Sequence, residues 1–134
     1  MAGYSGTPLV KKLGIKEGDR VGLVNPPQHF ATMLDPLPPA VELLPGVRSK
    51  RDVVIAFVHA RGELESKLDA MLKAIYPDGA IWVAWPKRAS KVPTDITEDV
   101  VREIALPAGL VDNKVCAIDD VWSGLRLVVR RDRR

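Results

Sequence analysis

At 134 residues, 46% of them hydrophobic and 28% charged, the chain has the size and composition of one folded domain and not of a disordered segment. Its net charge of +3 sits at one end: residues 130–134 hold four arginines and Asp132, which leaves 16 basic and 16 acidic residues elsewhere. The body is therefore neutral and lacks the basic face that a nucleic-acid partner requires. Cys116 is the single cysteine, which excludes an internal disulfide, and no apolar run nears the ~20 residues that span a bilayer. No basic-then-apolar leader opens the sequence, so the expectation is a cytoplasmic protein with no membrane partner.

Thr7 and Pro8 predict an N-cap and first helical residue, with a short helix to Leu13 stopped by Gly14. After a turn at Gly18-Asp19, Arg20–Val24 predicts a strand. Asn25-Pro26-Pro27 breaks it, and Gln28–Leu34 follows as a short helix with Asn25 as its cap and Pro26 in its first turn. Three prolines make 35–40 a loop. Val41–Leu44 predicts a weak strand closed by Pro45-Gly46, and Val47–Asp52 a polar, basic connector.

Val53–Val58 is continuously apolar, the pattern of a strand buried on both faces. Gly62–Ile75 predicts a helix, with Leu64, Leu68, Met71, Leu72 and Ile75 on one stripe. Pro77-Asp78-Gly79 turns into the strand Ala80–Trp85, which a polar loop, Lys87–Pro93, leaves. Thr97 predicts an N-cap, with Glu98 and Asp99 in the first turn and Ile96 stapled to Val101. That helix ends at Pro107-Ala108-Gly109. Val111–Ile118 and Leu125–Val129 close the chain as an antiparallel hairpin, with Ser123-Gly124 in its loop.

Strands alternating with helices predict an α/β, Rossmann-like three-layer sandwich. Its sheet is mostly parallel and ends in an antiparallel hairpin. Residues 1–129 form the domain, and 130–134 a solvated, frayed basic tail.

Two resemblances follow from these residues. The run Leu13–Val21, the stretch Leu68–Trp85 with Tyr76-Pro77-Asp78-Gly79 inside it, and the final helix and hairpin resemble class I S-adenosylmethionine-dependent methyltransferases. That likeness is one of topology. A closer one runs through Ser5-Gly6-Thr7-Pro8-Leu9, Lys11–Ile15, Trp85-Pro86-Lys87, Thr94–Arg102, Leu110–Cys116 and Trp122–Arg126. These resemble a small bacterial family known only as a domain of unknown function, which implies no reaction.

The methyltransferase resemblance implies a glycine-rich turn after the first strand, where backbone N–H groups meet the cofactor. Here the turn is Asn25-Pro26-Pro27: no glycine, and two residues without an N–H. The resemblance also implies an acid ending the second strand, but that strand ends at Leu44-Pro45, with Glu42 too early. No cofactor is therefore expected. His29, His59 and Cys116 have no metal-ligand spacing, and neither a P-loop nor a nucleophile elbow is present. Asp119-Asp120 is a turn signal.

The leading reading is a non-catalytic binding or interaction module. A second is an enzyme or sensor for a small phosphate- or carboxylate-bearing anion at the C-terminal ends of the parallel strands. Its ligand would lie among Asn25, His59, Trp85, Lys87, Ser90 and Thr94, near Arg88 and Lys91, with His59 the one candidate acid or base. A third is a methyltransferase with an atypical cofactor site. A protein partner, or a homodimer through the hairpin edge or an exposed Trp122, is also expected from this layout.

Overall fold

The computed structural model describes residues 6–134, so Ser5 of the first family motif lies outside the described residues. Six strands form one sheet: β1 (Arg20–Val24), β2 (Glu42–Pro45), β3 (Val53–Phe57), β4 (Ala80–Pro86), β5 (Leu110–Ala117) and β6 (Trp122–Val129). Their spatial order is β2-β1-β3-β4-β6-β5. The first four are parallel, and β6 runs antiparallel between β4 and β5.

Helices α3 (Arg61–Ile75) and α4 (Glu98–Ala105) cover one face, and the short α1 (Leu9–Lys12) and α2 (Phe30–Met33) the other. Alternation along each strand builds the two cores. Val54 and Ala56 of β3 and Ile81 and Val83 of β4 meet Leu64, Leu68, Met71 and Ile75 of α3. Val53, Ile55, Phe57 and Trp82 meet Leu13, Phe30 and Leu34 on the opposite side. The predicted three-layer, mostly parallel sheet with a C-terminal hairpin is the fold of the molecule. No described helix is long and apolar enough to cross a membrane.

Several boundaries differ from expectation, each for a local reason. Pro8, not Thr7, caps α1, without a side-chain bond. Asn25 does not cap α2: it takes φ 50° beyond β1, and the helix begins only at Phe30, after a turn closed by Phe30 N–H to the Pro27 carbonyl. Ser123-Gly124 lie inside β6, where Gly124 packs closely on Trp82: a Cβ placed there would sit 3.1 Å from that ring. The hairpin turn is made instead by Asp119, whose Oδ1 accepts from Val121 N and Trp122 N, both at 2.8 Å. Residues 131–133 form a 3-10 turn. It is held by Arg130 N–H to the Gly109 carbonyl and Tyr76 Oη–H to the Arg133 carbonyl, although residues 131–134 stay exposed.

Thr97 caps α4 as predicted, its Oγ1 accepting from Val100 N at 3.2 Å. Replacing it with alanine orphans that N–H. Thr97→Ala is expected to cost about 1 kcal/mol in a urea titration.

The link from β2 to β3 is unusual. These strands flank β1 on opposite sides, so the chain must cross a sheet face. Parallel crossovers normally take a dozen or more residues and a helix; this one uses residues 46–52 only. It lies over Gly22, where a Cβ would come within 2.6 Å of the Gly46 carbonyl oxygen. Arg51 is 4% exposed, the one buried charged side chain among the described residues. Its guanidinium donates to the carbonyls of Pro45, Gly46, Ser49 and Lys50 and to Ser49 Oγ. One side chain thus satisfies backbone acceptors that a helix would have satisfied internally.

Candidate functional site

The C-terminal ends of β1, β3 and β4 open on one edge of the sheet, where α/β folds bind ligands. Along that edge the chain leaves β4 through Lys87, makes a 3-10 turn (Arg88–Ser90), and runs extended to the start of α4. Ser90 holds the turn: its Oγ donates to the Lys87 carbonyl at 2.7 Å and accepts from Val92 N. Thr94 ties the loop to β3, its Oγ1 donating to the His59 carbonyl and accepting from Ile96 N.

Between this loop, β4 and α4 lies a cavity of about 390 Å³. Of the six candidate residues, Trp85, Lys87 and Thr94 line it; Arg88, Lys91 and Thr97 join them. Ser90 shapes the loop from behind. Asn25 and His59 are not part of this lining. Trp85 is buried and contributes a wall more than an exposed face.

The lining carries three cations, Lys87, Arg88 and Lys91, and one carboxylate, Glu98. Lys87, Arg88 and Lys91 make no ion pair or side-chain hydrogen bond among the described residues. The acids at the α4 start are engaged elsewhere. Asp95 accepts from the Arg61 backbone N–H at 2.7 Å, and Glu98 and Asp99 both pair with Arg102. Glu98 first, and then Asp112, raise the pKa of Arg102. The acids at this helix start, readable in the sequence, thus make no ion pair with the three loop cations, although Glu98 shares the cavity lining with them.

His59 is exposed beyond β3, its ring edge-on to Trp122 with centroids 5.1 Å apart. Its imidazole has no carboxylate partner among the described residues. Glu63 instead accepts from the backbone N–H groups of His59 and Ala60. A general base needs an orienting partner or a substrate contact, and this arrangement supplies no such partner. Trp122, expected to be exposed, is buried, because Phe57 meets it edge-on at 5.0 Å. An exposed Trp122 is therefore no basis for self-association.

At the β1 end, Asn25-Pro26-Pro27 leads into a helix of four residues. The β2 end carries no acid. Glu42 lies at the opposite end of that strand, 3.9 Å from Arg20 Nε. Among the described residues no group of three or more His, Cys, Asp or Glu side chains converges as a metal site requires.

Sequence reasoning missed the tie of Asp95 to Arg61, which joins two elements, and the role of Glu63, whose position three residues after Ala60 was the available signal that it caps its own helix start. It also missed Arg51, which read as part of a polar, basic connector.

Residues 45–131 match the model of a family described as a protein of unknown function, DUF3052. No curated protein sequence matches the chain. Among solved structures, a SAM-dependent methyltransferase from Aquifex aeolicus superposes with TM-score 0.62 at 17% identity, over 90% of this chain and 88% of that one. Aeropyrum pernix fibrillarin, in complex with natively bound S-adenosyl-L-methionine, gives 0.61 at 14%, over 87% and 69%. The magnesium protoporphyrin IX methyltransferase of Synechocystis PCC 6803, with bound SAM, gives 0.60 at 11%, over 90% and 74%. At such identities the likeness is one of fold.

Proposed function

This chain belongs to the DUF3052 family of proteins of unknown function, and from there we propose that it is a non-catalytic Rossmann-like module holding a small phosphate- or carboxylate-bearing ligand beside the C-terminal end of β4. The observation that carries this reading is the set Lys87, Arg88 and Lys91 around a cavity of about 390 Å³, unpaired while the nearby acids are engaged. Three cations on a short loop, with Thr94 and Thr97 beside them, supply charge-assisted donors to an oxyanion. The lack of a glycine-rich turn at 25–27, and of a positioned partner for His59, supports binding without methyl transfer.

Inorganic phosphate, titrated at constant ionic strength, is expected to raise the melting temperature saturably. Lys87→Ala with Lys91→Ala is expected to weaken that midpoint about tenfold or more, since each lost charge-assisted bond is worth ~1.5–3 kcal/mol. S-adenosylmethionine, S-adenosylhomocysteine and NAD(P) are expected to leave the melting temperature unchanged. A saturable shift with S-adenosylmethionine would move the assignment to a methyltransferase with an atypical cofactor site, the second reading that the fold favours. Phosphate binding unaffected by the double variant would remove the ligand from this loop.

A further inference from the structure

A second, larger cavity of about 480 Å³ opens at the opposite end of the sheet, beneath the chain linking α1 to β1. Lys16, Asn113, Lys114 and Arg126 line it together with the carboxylates of Asp19, Asp52 and Asp78. How Lys114 reaches it is informative. Leu110 of β5 belongs to the core under α3 and α4, and Asp112, two residues on, bonds Arg102 of α4. Strict alternation would send Lys114 to that same face. A bulge intervenes: Asp112 pairs with Leu127 and Lys114 with Arg126, leaving Asn113 as the extra residue. One inserted residue reverses the facing of everything beyond it. Lys114 now stands beside Arg126 on the α1 side, where its Nζ donates to the Lys12 carbonyl at 2.7 Å.

None of Asp19, Asp52 and Asp78 forms an ion pair with Lys16, Lys114 or Arg126 among the described residues. Arg126 is partly buried, its one side-chain bond among the described residues goes to the neutral Oδ1 of Asn113 at 3.2 Å, and burial lowers its pKa. The Lys16 side chain has no acidic partner among the described residues. The neighbouring acids are engaged: Asp19 accepts from Lys16 N, Asp52 from Arg20 N, and Asp78 lies 3.8 Å from Lys50. A guanidinium held half out of water without a carboxylate is costly unless something negative completes it. We propose that the bulge at Asn113 builds a second anion site, in which Arg126, Lys114 and Lys16 hold a small multivalent phosphate or carboxylate at the N-terminal edge of the sheet.

Two tryptophans distinguish the sites. Trp82 Nε1 donates to the Leu13 carbonyl at 2.9 Å, next to Gly14 in the lining of this cavity, whereas Trp85 lines the other. Their indole N–H resonances, assigned through Trp→Phe variants, are followed while inorganic phosphate, and separately citrate, is titrated into the full chain at fixed ionic strength. The Trp82 resonance is expected to move saturably with one or both anions. Lys16→Gln with Lys114→Gln, both exposed and thus compatible with folding, is expected to raise that midpoint at least tenfold without altering the Trp85 titration. Arg126→Gln is expected to do the same. A Trp82 resonance that neither anion moves would overturn the proposal, as would a midpoint indifferent to these variants. Either result leaves the Trp85 titration to decide the site after β4 independently.

Discussion

Arg51→Ala is expected to destabilise the fold by about 3 kcal/mol, read as a shift in the urea midpoint at unchanged slope. The side chain makes five hydrogen bonds from a site that is 4% exposed, three of them to carbonyls of its own crossover and one to the Pro45 carbonyl at the end of β2. Truncation leaves those acceptors facing a cavity, and each buried, unsatisfied one costs roughly 1–3 kcal/mol. Water entering the gap recovers part of this, which keeps the estimate at the lower end. Arg51→Lys is expected to regain less than about half of the loss. One ammonium cannot reproduce a planar fork reaching Pro45 on one side and Ser49 on the other. A loss under about 0.5 kcal/mol for the alanine variant would mean that the crossover stands without its arginine.

The same arginine marks where the sequence was legible and where it was not. Val53–Val58 and Ala80–Trp85 were readable because strands buried on both faces must be apolar throughout, and β3 and β4 are buried at every position. Thr97 was readable because a cap satisfies its own helix within three residues. Arg51 was not, because its partners depend on which strands flank β1, and that order is a property of the assembled sheet. The useful signal was length: seven residues joining two parallel strands leave no room for a helix, so that connector had to satisfy its own backbone. At the candidate site, Lys87, Arg88 and Lys91 were legible as a basic loop. That Asp95 is tied to the Arg61 backbone depended on a different helix, whereas the pairs of Glu98 and Asp99 with Arg102 lie within one turn of α4. The bulge at Asn113 was equally hidden, since an extra residue in one strand shows only against its partner.

Gly22→Ala is expected to cost about 2–3 kcal/mol, the range of a methyl forced into filled space. Composition alone gives the opposite sign. Exchanging glycine for alanine where the backbone permits it gains roughly 0.4–1 kcal/mol by restricting the unfolded chain, and Gly22 has no positive φ. What decides the sign is the crossover overhead. A Cβ on Gly22 would stand 2.6 Å from the Gly46 carbonyl oxygen and 3.1 Å from both Cγ and Nε of Arg51. The first contact is backbone, fixed by Gly46 N–H to the Leu23 carbonyl at 2.9 Å, so it cannot swing aside. Gly62→Ala is the matched control: it lies in α3 with nothing within 4 Å of its Cβ position. That substitution is expected to stabilise by about 0.5–1 kcal/mol. Combining Gly22→Ala with Arg51→Ala tests whether the two residues act as one unit. Removing Arg51 relieves two of the three contacts, so the double variant is expected to lose less than the sum of the singles by more than about 0.5 kcal/mol. Strict additivity would instead locate the whole cost of the methyl in the Gly46 carbonyl, and would make the crossover's grip on β1 a matter of backbone alone.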